Sequence, residues 1–157
     1  MPSLNRWVFL AYVLPRQPST PRVTIWRKLK RLGAAQLLDG LVGLPLDSRN
    51  REQLEWLADE ITDAGGEASL WIAEAVSQAQ ERELVTRLQA AISSEYGELI
   101  AATRAARLLS PGSRRRRLGR LRREFHRIEQ RDYFPPPERD QALRAIQELA
   151  DHVEVAS

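Results

Sequence analysis

The residues best equipped for chemistry in this chain are cations, and they come in two groups. Arg27, Lys28, Lys30 and Arg31 follow one another closely with no acidic neighbour. Arg114, Arg115, Arg116, Arg117, Arg120, Arg122, Arg123 and Arg127 form a second, denser group. Guanidinium groups present planar forks that match pairs of phosphate oxygens. A helix with Arg116, Arg120, Arg123 and Arg127 on one face can follow phosphates along its length. A solvated helix face, or arginines paired with the chain's own carboxylates, is the competing account. A third set, Arg16, Ser19, Thr20 and Arg22, surrounds an expected helix start. Free backbone N–H groups there can hold a tetrahedral oxyanion such as phosphate or sulfate. The alternative is an ordinary cap, with Arg16 and Arg22 paired to carboxylates such as Asp39 or Glu74.

Other chemistries find little footing. There is no cysteine, which excludes disulfides and thiolate metal sites. His126 and His152 lack ligand spacing, so no zinc site is expected. No Ser/His/Asp arrangement, glycine-rich phosphate loop or His–carboxylate cluster is present. Some small ferredoxin-like nucleases hold a metal with an Asp at the end of the first strand. Here that end reads YVLPR, without a carboxylate. The expectation is a protein that is not an enzyme and has no metal or cofactor. The apolar run Trp7 to Leu14 is far too short to cross a membrane. No signal peptide is evident, and a soluble, cytoplasmic chain is expected.

Charge is distributed unevenly. Residues 1–46 sum to +6, residues 47–110 to −6 and residues 111–157 to +3. Two basic ends flanking an acidic middle imply internal pairing or a basic surface aimed at a polyanion.

The elements that must position these residues follow from periodicity. Arg6 to Leu14 is apolar on both alternating faces, which places it mid-sheet with both faces covered. Thr20-Pro21 is a helix start signal, with the threonine as cap. The helix from Pro21 to Leu32 has Ile25, Trp26, Leu29 and Leu32 on one side, and Gly33 suits its exit. A cation at Arg22 opposes the helix dipole and calls for a negative neighbour. Asp39-Gly40 between apolar runs predicts a hairpin with strands at 35–38 and 41–45. Asp47 to Asn50 caps a second helix, 51–64, with Leu54, Leu57, Ala58 and Ile61 as its stripe. Trp56 lies off that stripe and is expected under the C-terminal helices or in a dimer interface, while Trp26 and Trp71 are expected in the core. Residues 67–76 read as a fourth strand. The order is the ferredoxin-like βαββαβ plan, an α+β core over about residues 5–76, with one sheet face in need of a cover. Helices follow at 78–109, 114–131 and 138–153. Ser110-Pro111-Gly112-Ser113 and Pro135-Pro136-Pro137 separate them. Leu143 belongs to the expected stripe of the last helix. Glu95 falls inside the apolar stripe of the first, either partly exposed at a packing edge or buried against an arginine. The expected division is 1–77 for the ferredoxin-like domain and 78–157 for a helical region that packs on the core or dimerises.

Several segments resemble the N-terminal domain of the ChrB family of chromate-resistance regulators. They are RWVFLAYVL, LPRQPSTPRVTIWRKLKRLGAAQLLDG and LPLDSRNREQLEWLADEITDAGGEASL; the later RRRRLGRLRREFHRIEQRDYFPP is also similar. The strand–basic helix–LGA–strand–DG pattern is more distantly similar to PaaX-type repressors. The resemblance implies a bacterial, DNA-binding transcriptional regulator of a chromate-efflux operon, tuned by chromate. The partner it implies is double-stranded operator DNA; regulators that read two half-sites are symmetric dimers, so a homodimer is expected, with the helices over 78–131 as its interface. A stand-alone adaptor that dimerises with a longer ChrB-type chain is a further alternative. Longer ChrB proteins continue into a second domain. If that domain senses chromate, this chain is expected to bind without sensing. An oxyanion-binding or protein-interaction module without DNA contact is the alternative.

Overall fold

The computed structural model describes residues 5–155. Its element order is β1 (Arg6–Val13), α1 (Thr20–Leu32), β2 (Ala35–Leu38), β3 (Leu41–Pro45), α2 (Ser48–Asp63), β4 (Glu67–Glu74), α3 (Gln78–Ala106), α4 (Pro111–Gln130) and α5 (Pro137–Val155). The strands form one antiparallel sheet in the order β2-β3-β1-β4. This is the ferredoxin-like arrangement that the βαββαβ order predicts. The chain divides into two compact units, one running to Leu88 and one from Gln89.

In the first unit β1 is central, paired with β3 on one side and β4 on the other. Trp7, Val8 and Leu10 are buried, so both of its faces are covered. Ile25 and Leu29 of α1 and Leu54, Leu57 and Ile61 of α2 are also buried. The start of α3 is tied to the same sheet. Glu81 Oε1 accepts from Trp7 Nε1 at 3.0 Å and from the Asn5 backbone N–H at 2.8 Å. Arg87 donates to the Gln36 and Leu37 carbonyls of β2.

Glycine and capping residues make the corners. Gly40, at φ 78°, turns the β2–β3 hairpin, where a Cβ would lie 2.3 Å from the Tyr12 carbonyl oxygen. Asp47 caps α2 by accepting from the Asn50 N–H at 2.6 Å, and buried Asn50 donates onward to the Pro45 carbonyl at 2.9 Å. This cap starts α2 at Ser48, earlier than periodicity alone predicts.

Four expectations are corrected. Ser19, not Thr20, is the N-cap of α1, and it makes no side-chain cap bond; Thr20 already belongs to the helix. Trp26 is 49% exposed because the buried face of α1 narrows to Ile25 and Leu29. Its ring instead carries Lys30 Nζ, 4.5 Å from the centroid. Trp71 is 62% exposed because β4 is an edge strand with a neighbour on one side only. Leu143 is exposed beside a buried seam of Ala142, Ile146, Leu149 and Ala150 on α5.

The second unit is a helical cluster built on Ile92, Tyr96, Leu99, Leu118, Leu121, Phe125, Ile128 and the α5 seam. Tyr96 and Phe125 pack with ring centroids 5.7 Å apart. Glu95 combines both expectations for it: half-exposed, it pairs with Arg131. Among the described residues no helix is long and apolar enough to cross a membrane.

Candidate nucleic-acid interface

Helix α4 puts its apolar residues on one side and its cations on the other. Leu118, Leu121, Phe125 and Ile128 are buried, which fixes the rotation of the helix. Arg115, Arg116, Arg117, Arg120, Arg122, Arg123 and Arg127 lie outside that buried face. Arg127 pairs with Glu124 at 3.2 Å, and Arg116 donates to the Ser113 hydroxyl at 3.3 Å. Arg115, Arg117, Arg120, Arg122 and Arg123 form no ion pair among the described residues. Arg114 is turned inward. Its Nη2 donates to the Leu109 and Arg107 carbonyls at 3.0 and 3.2 Å, closing the end of α3.

The first cationic group is partly neutralised. Lys28 Nζ lies 2.6 Å from Glu60 Oε1 of α2, and Lys30 rests on Trp26. Arg27 and Arg31 form no ion pair among the described residues. Trp56 is 55% exposed and lines a shallow groove with Lys28, Arg31 and Glu60.

The helix-start set is split. Ser19 and Arg22 line a cleft of about 670 Å³ with Tyr12, Trp26, Arg27 and Asp39; Arg16 and Thr20 do not. Arg16 and Arg22 form no ion pair among the described residues, with Asp39 and Glu74 included. Burial raises the pKa of the Tyr12 hydroxyl, with Arg22 lowering it and Asp39 raising it. Sequence reading missed the aromatic wall of this cleft. Trp26 had the spacing of a core residue, and Tyr12 sits on a strand whose faces both look apolar.

The structure therefore defines a small α+β protein: a ferredoxin-like sheet unit followed by a three-helix cluster with an arginine-covered face. The family profile described as Protein ChrB, N-terminal, matches residues 22–106. The chain is 32% identical over 133 residues to Protein ChrB of Cupriavidus metallidurans, covering 82% of this chain and 40% of that relative. No solved structure matches. The chain belongs to the ChrB N-terminal family, and it spans about 40% of the length of the curated relative it matches.

Proposed function

We propose that this chain is a DNA-binding transcriptional regulator of a chromate-resistance operon. In this reading it acts in the cytoplasm as a homodimer on double-stranded operator DNA, with Trp56 at an interface. The observation that carries it is the outward arginine face of α4, most of it without ion-pair partners among the described residues. Family membership supplies the chromate system. Phosphate contacts from Arg120, Arg123 and their neighbours position a protein on the duplex without reading bases. The reading gives the chain no catalytic part and no resident cofactor; chromate or sulfate would enter as an effector. A gel shift on the chain's own upstream DNA, with and without chromate, tests it. The expected result is a retarded complex that weakens steeply with salt. Absence of a complex at low salt would contradict it.

A second reading is favoured by the cleft at the start of α1. There Arg22 lines a concave surface without an ion-pair partner among the described residues. In this reading the chain is an oxyanion-binding or interaction module, serving a longer ChrB-type chain rather than touching DNA. Calorimetry with chromate and sulfate on wild type and Arg22→Ala separates the two. Ligand heat that disappears in the variant, together with no DNA complex, favours the second.

A further inference from the structure

A second cationic site lies in the helical unit, away from the outward face of α4. Arg104 from the last turn of α3, Arg107 from the turn that follows it, Arg114 from α4, and Glu148 and His152 from α5 line one concavity. Three guanidinium groups and an imidazole line it together. None of the three arginines is neutralised by an ion pair among the described residues, and neither is Glu148.

The internal bonds of the site are those of cations short of anions. Arg107 Nη2 donates to His152 Nε2 rather than to a carboxylate. Arg114 spends its Nη2 on backbone carbonyls, and its Nε is buried with no acceptor among the described residues. An unsatisfied buried donor of this kind is uncommon in folded proteins. The end of the α3 macrodipole offsets only part of the positive charge.

The geometry points to a binding site for a tetrahedral oxyanion carrying two negative charges, of the sulfate, phosphate or chromate class. Such a group accepts from Arg104 and Arg107 together, as forked donors favour. An anion held there would replace the bond that Arg107 makes to His152 Nε2, so the imidazole reports its binding. The same chemistry describes a free oxyanion or a phosphate of a DNA backbone.

The test is an NMR titration of the full chain, following the His152 ring resonances at constant ionic strength. One arm uses sodium sulfate against sodium chloride, and the other a duplex of about two helical turns. Arg107→Gln and Arg104→Gln serve as variants. Arg104 enters no ion pair among the described residues, so the second variant stands if the first is poorly folded. A saturable sulfate shift, about tenfold weaker in the variants, establishes a free-oxyanion site. A shift with duplex alone, abolished in the variants, assigns the anion to a DNA phosphate. No shift with either, or shifts that both variants keep, overturns the site. The gel shift above reads out independently, because the outward arginines of α4 are unchanged in these variants.

Discussion

Lys28 Nζ of α1 and Glu60 Oε1 of α2 lie 2.6 Å apart, so the acidic second helix neutralises one cation of the basic first helix. The pair is half-exposed, and solvent screening limits its contribution to stability to about 0–1 kcal/mol. Its larger consequence is for anions. Glu60→Gln frees Lys28 and should strengthen DNA binding at low salt, whereas Lys28→Gln should weaken it less than Arg31→Gln does. Fluorescence anisotropy on one duplex checks the order of the three variants.

Two glycines should respond oppositely to alanine. A Cβ at Gly43 would lie 2.5 Å from Phe9 Cε1, its cross-strand neighbour on the sheet. The ring must move, and Gly43→Ala should cost about 1–3 kcal/mol. Gly97, inside α3, has nothing within 4 Å of its added Cβ. Gly97→Ala should stabilise by roughly 0.5–1 kcal/mol, because alanine leaves less backbone freedom to the unfolded chain. Urea denaturation of both variants measures the two signs.

The helical unit holds a polar pair whose pH dependence can be worked out. Buried Tyr96 donates to Asp132 Oδ2 at 2.8 Å. Burial raises the Asp132 pKa from its ordinary value; the Tyr96 hydrogen bond and Arg139 oppose this, and Glu129 adds to it. The folded state therefore binds the proton more tightly than the unfolded one. This carboxyl contributes most at low pH, and its contribution falls as pH rises from the ordinary carboxylate value through the raised one. Asp132→Asn keeps an oxygen acceptor for Tyr96 and does not titrate. Its stability relative to wild type should improve between about pH 4 and about pH 7. A difference that does not change with pH, in urea melts at both values, contradicts this.

Much of the fold is written in local pattern. The doubly apolar run at Trp7–Val13 announces a central strand, and Asp39-Gly40 marks the hairpin between β2 and β3. Apolar spacing also locates α2, α4 and α5, because burying one face of a helix requires it. What periodicity does not carry is the width of a buried face or the position of a strand in its sheet. Trp26 sits at the margin of a narrow stripe and Trp71 on an edge strand, and both are exposed for those reasons. The cationic site was legible only as composition. Arg114 and Arg120 read alike in sequence, yet one turns onto carbonyls at the end of α3 and the other faces outward. Partner choice of this kind depends on which helix ends meet, which no local window contains.

The outward arginines of α4 are the centre of the account, and the salt dependence of DNA binding tests them most directly. Wild type should bind more weakly, linearly in log–log form, as salt rises. In an Arg116→Gln/Arg120→Gln/Arg123→Gln triple variant, each phosphate left without its arginine should flatten the slope by about 0.9. Glutamine is a good helix former, so α4 should persist, as circular dichroism will report. A shallower slope with weaker binding on every duplex is the predicted result. A variant whose affinity and slope match wild type contradicts the assignment of this helix to DNA.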